Sequence, residues 1–226
     1  MRGRHRWPDL SGCIHRATRL GQRSLFHAAH RRRLIIGKLV NLGSLCIDHV
    51  YRVPRVAAVG ETLASTRHQI FPGGKGLNQS LAARKAGADV VHVGCIGADG
   101  GFLVDLLEEQ GVSVQGIRVV VDEPSGHAVI QVTDAGSNAI VIAGGANRCL
   151  TEADIDASLS RLLPGDWLLL QNEINQVATV LERAAAQGAR IAFNVAPVDG
   201  RESGYDFSGV DLLIVNEVES RALLSQ

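Results

Sequence analysis

From Lys38 onward the chain alternates short apolar runs with segments whose apolar residues recur at helical spacing. Residues 38–45 (KLVNLGSL) read as a strand closing on a glycine turn, 76–86 as a helix, and 90–95 (VVHVGC) as a buried strand. Residues 101–110 place Phe102, Leu103, Leu106 and Leu107 on one helical face. Thr151 and Asp154 have the spacing of a capping box, ahead of Ile155, Leu159 and Leu162 at i, i+4 and i+7. Strand 166–171, helix 174–187, strands 190–194 and 211–215, and a helix from Asn216 complete the series. Such alternation predicts an α/β fold with a mostly parallel sheet and helices on both faces. Two stretches break it. Residues 49–70 carry only short extended pieces, and 127–142 alternate around Asp134-Ala-Gly-Ser as a hairpin would. A small β flap beside the main sheet is expected from them, of the kind that closes over a ligand and expels water.

Composition adds little until it is divided along the chain. With 226 residues, 46% of them hydrophobic and 20% charged, there is material for one large core or two modest ones. No run of eighteen apolar residues exists to span a membrane as a helix. The formal charge is zero, yet residues 1–33 hold nine Arg against one Asp, and the remainder is acidic by the same margin. The basic head has the composition of a transit peptide, of a nucleic-acid-binding arm, or of a disordered tail. The disordered reading is preferred, which makes 1–37 an extension and 38–226 the folded domain. Cys13, Cys46, Cys95 and Cys149 show no metal-type spacing, as expected of reduced thiols in a cytoplasmic protein.

Candidate chemistry clusters after the expected strands. Phe71-Pro-Gly-Gly-Lys-Gly-Leu-Asn-Gln79 puts three glycines in four residues where extended chain becomes helix, so backbone there can approach a ligand closely. It lacks the Ser or Thr of a Walker loop and the third glycine of a dinucleotide fingerprint. Gly43-Ser-Leu-Cys-Ile-Asp48, Gln171-Asn-Glu173, Asn194-Val-Ala-Pro197 and Asn216-Glu-Val-Glu219 each follow a strand, where ligands of open α/β sheets bind. An aspartate such as Asp48 accepts from two neighbouring hydroxyls and so suits a sugar. Asn216 and Glu219, at i and i+3, serve either a phosphate and a hydrated Mg²⁺ or a plain helix cap.

Taken together, these motifs make residues from about 39 to the end resemble the carbohydrate kinase family of ribokinase, adenosine kinase and fructokinases. Gly73-Gly-Lys-Gly-Leu-Asn-Gln79 and Gly94-Cys-Ile-Gly-Ala-Asp99 carry the likeness, and the first is closest to the ribokinase branch. The resemblance implies a three-layer sandwich with a small β-strand lid, formed by pieces within 49–70 and 127–142 and pairing two subunits. It implies ATP, Mg²⁺ and a sugar as ligands, with K⁺ or another monovalent cation in the full-length protein, and neither nucleic acid nor membrane as partner. Cys46, Ile47, Asp48, Gly74, Lys75, Gly76, Leu77, Asn78 and Glu173 would line the sugar pocket, the 74–78 segment through its amides and through the Lys75 and Asn78 side chains. Asn216 would approach the ATP phosphates and Glu219 the Mg²⁺ water shell. D-Ribose would become D-ribose 5-phosphate.

Two departures from the family pattern stand out. Cys46 occupies a position where the family usually has Asn, and a thiol poorly replaces an amide that both donates and accepts. The family's catalytic Gly-x-Gly-Asp is absent: the only Gly-Asp pair, Gly165-Asp166, follows Leu163-Pro164. The base is therefore expected beyond Gln226, in a C-terminal part this chain lacks, and the chain alone is expected to be inactive. Two alternatives follow, a non-catalytic sugar-binding or dimerising fragment and a kinase of the fructose 1-phosphate type.

Overall fold

The protein, represented by a computed structural model, is described over residues 37–225. The expectations for the basic head, residues 1–33, fall outside that range. Strand β1 (Leu39–Leu42) lies inside a six-stranded sheet whose order is β10-β9-β8-β1-β4-β5. The others are β4 (Val90–Gly97), β5 (Ser113–Val120), β8 (Trp167–Gln171), β9 (Arg190–Asn194) and β10 (Leu212–Ile214). Every pairing in it is parallel, so all six carboxyl ends share one edge.

Alternation along the strands assigns each side chain to one of two cores. Val40, Leu42, Val91 and Val93 enter one core with Ile155, Val180 and Leu181. These last come from α3 (Glu152–Leu159) and α4 (Val177–Ala186). Val90 and Ile96 enter the other core with Leu77, Leu103 and Leu107, from α1 (Lys75–Lys85) and α2 (Gly101–Glu109). Helices thus cover both faces, giving the expected three layers. The cap at Thr151 and Asp154 is formed reciprocally, as its spacing predicts.

A second sheet of four strands, ordered β3-β2-β6-β7, is the lid. It comprises β2 (Cys46–Arg52), β3 (Arg67–Gly73), β6 (Gly126–Val132) and β7 (Asn138–Ala143). Its strands extend beyond the expected pieces. Cys46, Ile47 and Asp48 therefore open a lid strand, and the first strand stops at Leu42, short of the expected Leu45. Two further expectations are corrected. Phe102 is exposed, because Leu103 and Leu107 define the buried line of α2. Strand β5 was not expected, since Gln115, Gly116 and Arg118 interrupt its apolar pattern on a half-covered edge strand.

Candidate functional site

The 73–76 turn connects lid strand β3 to α1, and its glycines are there because the chain runs against the end of β1. Gly74, at φ 94°, occupies the left-handed region as the N-cap of α1. A Cβ on Gly76 would lie 2.3 Å from the Ser44 nitrogen, so the helix start rests directly on the 43–44 backbone.

That contact assembles a polar cluster. The Ser44 hydroxyl donates to Glu173 Oε2 at 2.5 Å and accepts the Gly76 amide at 3.1 Å. Glu173 Oε2 also accepts the Lys75 amide at 2.9 Å, and Lys75 Nζ lies 3.3 Å from Glu173 Oε1. Glu173 is buried and Lys75 half-buried, so the pair is partly shielded from water. Asp48 leans over Gly73, where a Cβ would meet its carboxylate. It is half-buried, and its carboxylate accepts no hydrogen bond among the described residues. Burial and the Glu173 charge push its carboxyl above the usual range, against the opposing pull of His49 and Lys75. Cys46 shares this face of β2, two residues before Asp48. Burial and the same two carboxylates push its thiol up to about 12, so it is neutral and protonated.

Several expected site residues therefore converge: Cys46, Asp48, Gly74, Lys75, Gly76 and Glu173. Others take different places. Leu77 is a fully buried core side chain, and Ile47 joins the same core. The Leu77 amide donates to Ser44 O and the Asn78 amide to Gly74 O, which with the two bonds above engages four amides of the 74–78 segment internally. The segment is not an open nest of free amides. The Asn78 side chain is exposed.

Asn216 and Glu219 lie at the same carboxyl edge, beyond β10 and two strands from β8, roughly 10 Å along the sheet. Asn216 Oδ1 accepts the Glu219 amide, Glu219 Oε2 accepts the Asn216 amide, and Asn216 Nδ2 donates to Glu219 Oε1. Both side chains are spent on capping α5 (Glu217–Leu224). They do not fit a resident magnesium site as they stand, and among the described residues no cluster of three His, Cys, Asp or Glu does.

Motif reading missed two residues that organise the cluster. Ser44 lies within a recognised motif, but its partner is 129 residues away. Asn147 is buried beneath Gly126; its amide exchanges hydrogen bonds with the Leu45 backbone and reaches Cys46 Sγ at 3.5 Å. A buried relay extends the cluster across the sheet. Gln171 Nε2 donates to Asn41 Oδ1 and Gln79 Oε1, Asn41 Nδ2 to Ser80 Oγ, Gln79 Nε2 to Asn194 Oδ1, and Asn194 Nδ2 to Ile214 O. It ties α1 to β8, β9 and β10.

Residues 37–226 match the model of the pfkB family carbohydrate kinases. Ribokinase of Haemophilus influenzae is 35% identical over 189 residues, which are 82% of this chain and 61% of that protein. Ribokinase of Staphylococcus aureus is 31% identical over 191 residues, 82% of this chain and 62% of the relative. Among solved structures, ribokinase from Cryptococcus neoformans in complex with ADP superposes with a TM-score of 0.74 at 34% identity. The match covers 83% of this chain and 61% of that one. Arabidopsis thaliana ribokinase complexed with ribose and ATP gives 0.62 at 29% identity, over 80% and 61% of the two chains. The chain thus spans about three fifths of the length of these relatives.

Proposed function

The chain belongs to the pfkB family of carbohydrate kinases, and from that premise we propose that the protein phosphorylates D-ribose with ATP. The observation that carries this reading is Asp48. A half-buried carboxylate with unspent acceptor capacity, beside a buried Glu173 and the Lys75 ammonium, suits a ligand rich in hydroxyl groups. Cys46, Asp48, Lys75 and Glu173 hold the sugar on our reading, with Gly74 and Gly76 seating the Lys75 segment against the 43–46 backbone. Asn78 closes the rim, and Ile47 and Leu77 act from behind as core supports. ATP binds along the same carboxyl edge toward β10, with Asn216 near its phosphates.

The reaction is in-line transfer. The sugar hydroxyl oxygen bonds to the γ-phosphorus, its proton passes to a carboxylate, and ADP departs. Asp166 does not serve as that carboxylate, since it accepts the Lys38 and Leu163 amides at 2.7 and 2.9 Å. On this reading the chain supplies the sugar-binding residues and the lid, and we propose that it binds the sugar without turnover. Mg²⁺ would arrive with ATP and screen its phosphates; Glu219 would reach its water shell only by leaving the cap.

The lid carries exposed apolar residues in register on three strands, Ile70, Val129 and Val141, with His49 at the matching position of the fourth. A second copy is the partner we assign to it. Cys46 favours a second reading, a sugar other than ribose. Calorimetric titration of the chain with ribose and with fructose 1-phosphate, each with and without Mg-ATP, tests both. Ribose binding lost in Asp48→Ala supports the first reading, and binding of fructose 1-phosphate alone refutes it. ADP production by this chain would refute binding without turnover.

A further inference from the structure

Glu173 sits in the turn 172–176 between β8 and α4, and this turn is held from outside. Arg201 Nη2 donates to Asn172 O at 2.6 Å, and Arg201 Nη1 donates to Ile174 O at 3.0 Å. One guanidinium thus spans the carbonyls on either side of Glu173. Arg148 Nη1 adds a second donor to Ile174 O at 2.7 Å. Arg201 is itself gripped by Asp199, whose two oxygens both accept from its Nε at 3.0 Å. Asn172 is fixed further, donating to Pro197 O and accepting from the Tyr205 hydroxyl.

A buried turn needs its carbonyls satisfied, but one donor each would suffice. This one also ends on Gln176 at φ 57°, the single non-glycine residue with positive φ among the described residues. Such a conformation costs on the order of 1 kcal/mol and persists only where its surroundings impose it. The restraint converges on the residue whose carboxylate joins Ser44 to Lys75.

We infer that Arg201 is a positioning residue: its forked guanidinium fixes the backbone on both sides of Glu173, so that the carboxylate meets the Lys75 and Ser44 donors. This rests on the reading of Glu173 as part of the sugar pocket, and Arg201 itself touches no sugar. A lysine keeps the charge near Asp199 but is a point donor that cannot span two carbonyls.

Native-state hydrogen exchange on the full 226-residue chain tests it, comparing wild type, Arg201→Ala and Arg201→Lys. The Lys75 and Gly76 amides, which donate to Glu173 and Ser44, are expected to exchange about tenfold faster in both variants. Amides of the β1–β4 ladder keep their protection, which separates a local role from general destabilisation. The dissociation constant for ribose, measured by calorimetry, rises about tenfold in parallel, a smaller loss than removing a contacting carboxylate. Unchanged Lys75 and Gly76 exchange, equal acceleration in the ladder, or full rescue by lysine overturns the inference. If Arg201→Ala does not fold, Arg201→Lys carries the same comparison. A wild type that does not bind ribose refutes the pocket reading alone, since the exchange data still decide the clamp.

Discussion

Ser44 and Glu173, 129 residues apart in the chain, are joined by a hydrogen bond in which the Ser44 hydroxyl donates to the Glu173 carboxylate. The bond ties the end of β1 to the end of β8, and the same hydroxyl accepts the Gly76 amide at the head of α1. Ser44→Ala leaves that buried amide without its acceptor and removes one donor from a buried carboxylate. The expected loss is about 1–3 kcal/mol. Urea denaturation should show a lower midpoint with an unchanged slope, and ribose affinity should fall in the same variant.

Close backbone approach makes a sharper prediction at Gly76. An added Cβ would stand 2.3 Å from the Ser44 nitrogen and 2.6 Å from the Gly43 carbonyl carbon, both backbone atoms that cannot rotate away. Gly76→Ala is expected to cost about 3 kcal/mol and to displace the start of α1. Gly101, at the head of α2, has nothing within 4 Å of the same added atom. Gly101→Ala should be neutral or stabilising by up to about 1 kcal/mol. Thermal melts of the two variants side by side check the contrast.

The difference between these glycines was partly legible in the sequence. Hydrophobic periodicity located β9 to the residue, and it placed β4 and α1 within two, because their burial follows from local spacing. The 73–76 glycines announced a tight turn before a helix. What it could not carry was pairing at long range. That β2 opens at Cys46 follows from its seven-residue registers with β3 and β6, not from its own pattern. Asn147 gave no signal, since its role comes from the Leu45 backbone 102 residues away. Asn216 and Glu219 show the converse: their i, i+3 spacing fits a ligand site and a cap equally, and the structure uses it as the cap.

His92 gives the fold an acid limit. It is wholly buried on β4, with Nδ1 2.8 Å from Ser80 Oγ and Nε2 3.3 Å from Gly43 O. Desolvation lowers its pKa from 6.5 to about 4, so the folded chain holds it neutral. Below pH 6.5 the unfolded chain takes up a proton that the folded chain refuses. Stability is therefore full above that value and falls as the pH drops toward about 4, by roughly 3 kcal/mol over the interval. Denaturation midpoints measured from pH 7 to 4 should decline more steeply for wild type than for His92→Gln, which keeps a donor and an acceptor but cannot titrate there.

Asp48 has the opposite sign. Its carboxyl is raised, first by burial and then by the Glu173 charge, so the folded chain keeps a proton that the unfolded chain has lost. As pH rises from the ordinary carboxylate value of 3.8, folding opposes ionisation and stability declines. A negative charge on Asp48 is then a cost to the fold, retained in a cluster that already contains Glu173. Asp48→Asn removes the charge and preserves the shape, so it should melt higher than wild type at pH 7 and lose that advantage below pH 4. The same change replaces an anion with two acceptor oxygens by a neutral amide with one, and hydrogen bonds to a charged group are worth about 1.5–3 kcal/mol. Ribose affinity should accordingly fall about tenfold to a hundredfold while stability rises. A variant that is both less stable at pH 7 and unimpaired in ribose binding would place Asp48 in the scaffold of the lid instead of the sugar pocket.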